Sequence, residues 1–185
     1  MVDIVYKQPV KELLQISTYF KEKLIILVDN EKDELIAKKK EMIPCYLVNE
    51  KTDLNKLKKK RKAILGGSIK SNELATKINV DYLLQPSNEK QFFDLGLAKK
   101  LSETNTTVVL MLEEFLAKNS FERHLYWKNY LEIVRYCKKK KTKFLVASGC
   151  KDPLNLKPSK VRQAMAELLG LEKTKAKEYL IEEDK

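Results

Sequence analysis

The sequence predicts an α/β fold: about seven parallel strands with outer helices, wrapped into a distorted barrel. Three observations carry that prediction. Seven short apolar runs recur along the chain, amphipathic stretches separate them, and Gly, Ser and Pro mark the ends of several runs. Residues 1–185 read as a single domain, long enough to bury a real core. Closed eight-stranded barrels typically need about 250 residues and start near roughly 200, so seven minimal units with short loops are expected, and large insertions are not.

The first two runs are Val2 to Tyr6 and Leu24 to Val28, and the third, Ile43 to Val48, follows a stretch that ends in Lys38 to Lys40. The fourth, Ala63 to Leu65, gives way to Gly66, Gly67 and Ser68. The fifth, Tyr82 to Leu84, precedes a loop at Pro86. The sixth is Thr107 to Leu112, and the seventh, Phe144 to Ala147, ends in Ser148 and Gly149. Between these last two a long helix is predicted over Phe121 to Lys141. Trp127, Tyr130, Leu131, Val134 and Cys137 form its inward face at the 3.6-residue period, and His124, Lys128 and Arg135 its outward one. Pro158 opens a further helix, in which Val161, Ala164, Met165, Leu168 and Leu169 form the apolar face, and Gly170 stops it. A last helix, Glu172 to Glu183, with Ala176, Tyr179 and Leu180 on its apolar side, is expected to cover the open side of a seven-stranded barrel.

The chain is 43% hydrophobic and 34% charged, with 5 Gly and 5 Pro, so no segment reads as a linker or disordered tail. No apolar run approaches the roughly 18 to 20 residues of a membrane span, and the N-terminus lacks a signal-peptide layout. A soluble, cytoplasmic protein with no membrane partner is expected. Cys45, Cys137 and Cys150 are far apart, odd in number and outside any CxxC spacing, which argues for buried free thiols over a zinc knuckle or disulfide framework.

Net charge is +11, with a pI near 9.4, carried by 33 Lys and 4 Arg. Such a field favours polyanions. Lysine suits contact with a nucleic-acid backbone, whereas base reading in a groove usually needs the arginine fork. Lys-rich surfaces also serve heat adaptation and solubility, which is the competing reading. Lys38 to Lys40, Lys58 to Lys62 and Lys138 to Lys141 each end a predicted helix just before a strand, and so fall on the rim where strands begin. There they suit a phosphate backbone, or simply complement helix dipoles at about 0.3 to 1 kcal/mol each.

The opposite rim is sectored. Asp29, Glu31, Asp33 and Glu34 follow the second strand and Glu113 and Glu114 the sixth, while Lys70 follows the fourth and Lys151, Lys157 and Lys160 the seventh. A carboxylate pair can hold a metal, yet barrel phosphoesterases add several His ligands and this chain has one histidine, His124, on a predicted solvated helix face. The alternative of a stand-alone metal-dependent barrel phosphoesterase therefore rests on Asp29, Glu113, Glu114 or Asp152. Gly66-Gly67-Ser68 before Lys70, and Ser148-Gly149 before Lys151, are two strand ends where backbone amides can meet phosphate; both are equally compatible with tight turns.

From Thr107 to Gly170 the chain resembles a known family. The run Val108 to Glu113, then Arg123 and Asn129, then Phe144-Leu145-Val146-Ala147-Ser148-Gly149, Leu156-Lys157-Pro158 and Leu168-Leu169-Gly170 are similar in order and spacing to ribonuclease P protein component 3, the archaeal counterpart of the thirty-kilodalton subunit of the eukaryotic enzyme. Ile64-Leu65-Gly66-Gly67 and Val80-Asp81-Tyr82-Leu83-Leu84 also fit. Departures are Cys150 for a usual Ala, Lys157 for a frequent Arg, and Glu113-Glu114 at a strand end that is often more basic.

The resemblance implies a TIM-barrel-like fold related to PHP-type phosphoesterase barrels that has lost the metal site. It implies a protein subunit of the RNA-based endoribonuclease that removes the 5′ leader of precursor tRNA, in which the catalytic RNA and its Mg²⁺ ions carry out hydrolysis and this chain binds no cofactor. The implied partners are ribonuclease P RNA, component 2 as a heterodimer or heterotetramer, and other ribonuclease P proteins. Lys70, Arg123, Lys151, Lys157, Lys160 and Arg162 are the expected RNA contacts, because they flank the Gly-containing strand ends or the matching segments.

Overall fold

The structure is a computed structural model that describes residues 2–6, 15, 18 and 23–171. Among these, seven strands form one sheet in chain order: β1 Val2–Val5, β2 Lys23–Val28, β3 Ile43–Leu47, β4 Lys62–Leu65, β5 Tyr82–Leu84, β6 Thr107–Met111 and β7 Phe144–Ala147. Every ladder is parallel. Helices α1 Glu31–Lys39, α2 Ile69–Lys77, α3 Leu95–Glu103, α4 Leu112–Leu116, α5 Ser120–Lys140 and α6 Ser159–Leu168 connect or follow the strands. The β3–β4 crossover has a single 3-10 turn, Leu54–Leu57, in place of a helix, with Leu57 buried as its anchor. Lys58 to Lys62 therefore follow that turn and not the helix end predicted for them.

Alternation along each strand builds two apolar layers, which is why the strands read as continuous apolar runs. Ile4, Ile25, Leu27, Cys45, Ala63, Tyr82, Leu84, Val109, Met111, Leu145 and Ala147 fill the barrel. Val5, Leu24, Ile26, Tyr46, Ile64, Leu83, Val108, Leu110, Phe144 and Val146 face the helices. The space inside is tight: a Cβ on Gly149, whose φ is +60°, would meet Met111 at 2.7 Å. All three cysteines are buried and none forms a disulfide, and burial pushes the Cys137 thiol well above its ordinary range.

The barrel is nearly closed. The Gly149 amide donates to the Ile4 carbonyl at 3.0 Å and the Tyr6 amide to the Cys150 carbonyl at 3.1 Å, joining the upper ends of β7 and β1. Val2 pairs with Lys23, yet it is residues beyond β7 that meet Ile4 and Tyr6, so the strands are staggered, as closing a tilted barrel requires. The lower part of this seam is filled by a side chain. Arg162 of α6 has no exposed surface; its Nη1 donates to the Val2 carbonyl at 2.8 Å and lies 3.7 Å from Asp3 Oδ1. Asp3 Oδ1 in turn accepts from the amides of Ile4 and Ser148, both at 2.8 Å.

Filling the seam rotates α6 away from its predicted face. Arg162, Ala166 and Leu169 point inward, whereas Val161 is 47% and Leu168 69% exposed. The long helix α5 is also turned from its predicted face: Tyr126, Tyr130, Ile133, Val134 and Cys137 are buried and Leu131 is 40% exposed. Its Tyr126 and Tyr130 rings pack edge to face, and Phe115 of α4 packs on Trp127 and Tyr130, which leaves Trp127 only half-buried. The expected helix over Glu172 to Glu183 lies outside the described residues.

Candidate nucleic-acid interface

The helices follow the C-terminal ends of strands, α5 by way of α4, so the helix N-termini and the βα loops share one rim. Asn30, Ser68, Asp94 and Asn119 cap α1, α2, α3 and α5 there with side-chain oxygens, and Asn119 forms a reciprocal capping box with Glu122. This rim carries five of the six expected RNA contacts. Lys70 is exposed in the first turn of α2, Arg123 in the first turn of α5, Lys151 just past β7 and Lys160 at the start of α6; Lys157 is half-buried between the last two. Arg162 does not belong with them. It is drawn into the β1–β7 seam, where its Nε also donates to the Lys157 carbonyl at 3.2 Å, and it presents no surface to a ligand.

The exposed cations are held by local geometry. Arg123 Nε donates to the Lys118 carbonyl at 2.8 Å, and Lys118 itself pairs with Glu89 at 3.1 Å and lies over the Tyr126 ring. Lys151 Nζ lies 5.1 Å above the centre of the Tyr6 ring. Burial, then Glu114 and Glu113, push the Tyr6 phenol up to about 12. Glu114 is half-buried; burial raises its carboxyl, with Lys151 and Lys118 opposing and Glu113 reinforcing. A carboxylate pair on a basic rim repels phosphate locally, so this sector separates Lys70 from the Lys151–Lys160 group.

The Ser148-Gly149 strand end is not an open phosphate loop. The Ser148 amide is spent on Asp3 and the Gly149 amide on Ile4, while Ser148 Oγ accepts from the Lys157 amide at 2.8 Å. At Gly66 the reason for glycine is a close approach: a Cβ would lie 2.6 Å from Asn72 Oδ1 and 2.7 Å from Pro86 Cα. Asn72 Nδ2 donates to the carbonyls of Pro86 and Phe92, and the Ser68 hydroxyl caps the Ser71 amide.

Two of the four carboxylates of the phosphoesterase alternative brace local structure. Glu113 accepts from the Lys151 amide at 2.6 Å and from Asn155 Nδ2 at 3.0 Å, bracing the loop after β7. Asp152 caps the 3-10 turn Pro153–Asn155. Asp29 is exposed at the end of β2, across the rim, and His124 is exposed on α5. Among the described residues, no three His, Cys, Asp or Glu side chains are grouped so as to hold a metal ion. No helix among them is long and apolar enough to cross a membrane.

One polar assembly was missed by sequence reasoning. Gln85, buried at φ +46°, accepts at Oε1 from the Tyr130 hydroxyl (2.7 Å) and the Met111 amide (3.1 Å), and its Nε2 donates to the Ser87 carbonyl. Asn129 Nδ2 donates to the Asn88 carbonyl at 2.7 Å, and Gln91 reaches Glu132. Together they tie the β5–α3 loop to α5 beneath the rim. Tyr130 and Asn129 were visible in the sequence only as a core residue and a matching position; their shared partner is a loop some forty positions upstream.

No protein-family model matches the chain, and no curated protein matches it. Among solved structures, a chain of the cryo-EM structure of archaeal ribonuclease P with mature tRNA is similar to it. That likeness covers 97% of this chain and 86% of the other, with a TM-score of 0.80 and 17% sequence identity. The chain thus shares its overall fold with a chain of that structure.

Proposed function

We propose that this protein is a subunit of ribonuclease P, the RNA-based endoribonuclease that removes the 5′ leader of precursor tRNA. The observation that carries this is the likeness over 97% of the chain to a chain of archaeal ribonuclease P with mature tRNA. A net charge of +11 and an exposed set of Lys70, Arg123, Lys151 and Lys160 on one rim support it. The family segments quoted above agree with it.

In this role the chain binds and shapes the catalytic RNA and leaves hydrolysis, with its Mg²⁺ ions, to that RNA. It works in the cytoplasm beside component 2. Cationic side chains displace counterions from RNA phosphates, each contact adding about 0.7 to 0.9 to the slope of log K against log salt. A rigid barrel adds geometry, because its lysines and Arg123 stand on helix starts and braced loops.

The test is cleavage of precursor tRNA by the cognate catalytic RNA at moderate Mg²⁺, comparing RNA alone, RNA with component 2, and RNA with component 2 and this chain. Cleavage that rises fully only with both proteins is expected. No contribution from this chain would overturn the assignment, and metal analysis with a phosphoester substrate screen would then decide the alternative.

A further inference from the structure

The lysine clusters at the other end of the barrel play no part in the interface just described. Two of them converge. Glu34 of α1 is 4% exposed, and its carboxylate is 2.7 Å from Lys38 Nζ and 2.5 Å from Lys60 Nζ, and accepts from the Tyr46 hydroxyl at 2.7 Å. One buried acid therefore gathers the last turn of α1 and the segment that enters β4. Lys60 also lies 5.7 Å from the centre of the Tyr46 ring. Once Lys38 and Lys60 have satisfied Glu34, the lysines beside them remain. Lys39, Lys40, Lys58 and Lys59 are all exposed and have no ion-pair partner among the described residues. Glu41 is the nearest acid in sequence.

The third cluster stands apart. Lys138 Nζ donates to the Gly170 carbonyl at 3.0 Å, and the segment leads into β7, which is not a neighbour of β3 or β4 in the sheet. The three basic segments thus make one joined surface and one separate one, not an even ring.

We propose that Lys38–Lys40 and Lys58–Lys62 form a second RNA-docking surface, which takes the phosphate backbone of an RNA segment at the end of the barrel where the strands begin. It rests on the reading of the chain as a ribonuclease P subunit. Backbone and not base edges is the target, because the exposed cations Lys39, Lys40, Lys58 and Lys59 are point charges without the planar fork that reads bases, and the one arginine in these segments, Arg61, is half-buried with its Nη1 donating to the Tyr82 hydroxyl at 3.2 Å. The Glu34 hub holds the two segments together before RNA arrives, so less ordering is required on docking.

The experiment measures binding of the full chain to the cognate catalytic RNA over a range of salt concentrations. One variant carries Lys39→Gln, Lys40→Gln, Lys58→Gln and Lys59→Gln. A matched variant, equal in net charge, carries Lys100→Gln, Lys139→Gln, Lys141→Gln and Lys143→Gln, all exposed positions around the third cluster and α3. At about 0.7 to 0.9 per phosphate contact, the first variant should lower the salt slope by about 3 and the matched one by less than about 1. An unchanged slope in the first variant, or an equal drop in both, overturns the surface while leaving the subunit assignment intact. Absence of salt-dependent binding by the unmodified chain overturns both.

Discussion

Arg162→Met removes the guanidinium that fills the β1–β7 seam while keeping most of the apolar stem. The Val2 carbonyl loses its 2.8 Å donor, and Asp3, which has no exposed surface, loses the cation 3.7 Å from its Oδ1. Breaking one side of a buried pair costs about 3 to 5 kcal/mol, since the remaining charge is left in a medium that solvates it poorly. For a domain of this size that corresponds to a Tm lower by about 6 to 20 °C. Asp3 Oδ1 still accepts from the Ile4 and Ser148 amides, so adding Asp3→Asn keeps an acceptor in place and removes the stranded charge. The double variant should therefore recover roughly half of the loss. Urea denaturation of the wild type, Arg162→Met, the double variant and the exposed control Lys160→Gln measures all four. A loss under about 1 kcal/mol for Arg162→Met, or weakened RNA binding at unchanged stability, would refute the seam role and return Arg162 to the RNA-contact set.

Gly149→Ala places a Cβ 2.7 Å from Met111 at a φ of +60°, so it should cost about 1 to 3 kcal/mol in urea denaturation, more than an Ala at an ordinary loop glycine. Tyr130→Phe leaves Gln85 Oε1 with only the Met111 amide and should cost about 1 to 2 kcal/mol; hydrogen exchange at residues 85–94 should rise with it. Glu34 is held at about 2 by hydrogen bonds from Lys38, Lys60 and Tyr46, below its ordinary 4.5. Its contribution is therefore full above about pH 4.5 and is lost as pH falls toward 2. The stability gap between the wild type and Glu34→Gln, followed by denaturation from pH 6 to 2, should close in that window. Replacing Lys70, Lys151 and Lys160 together by Gln should lower the salt slope of RNA binding by about 2 without moving Tm, and an unchanged slope would remove them from the interface.

Much of the architecture was legible along the chain because it is local. The strand runs, their parallel order and the helix that Pro158 and Gly170 delimit follow from hydrophobic period and punctuation within a few residues. The basic balance and the scarcity of histidine were equally plain, as was the placing of Lys70, Lys151, Lys157 and Lys160 on one rim.

Residue type by itself did not separate Arg162 from Lys160, two positions away on the same helix. One plugs the barrel and the other faces solvent, because the seam between the first and last strands fixes how α6 is turned. The same holds for Leu131 and Leu168, apolar residues left outside by helices whose rotation answers to packing elsewhere, and for Ser148 and Gly149, whose amides are consumed by β1. Glu34 read as one acid among four after the second strand, and only the return of the chain at Lys60 made it a shared centre. The sequence by itself determined the strands, helices and charge, since those depend on neighbours in the chain. The tertiary structure alone decided closure, helix rotation and which charges are free to meet a ligand, since those depend on groups brought together from its two ends.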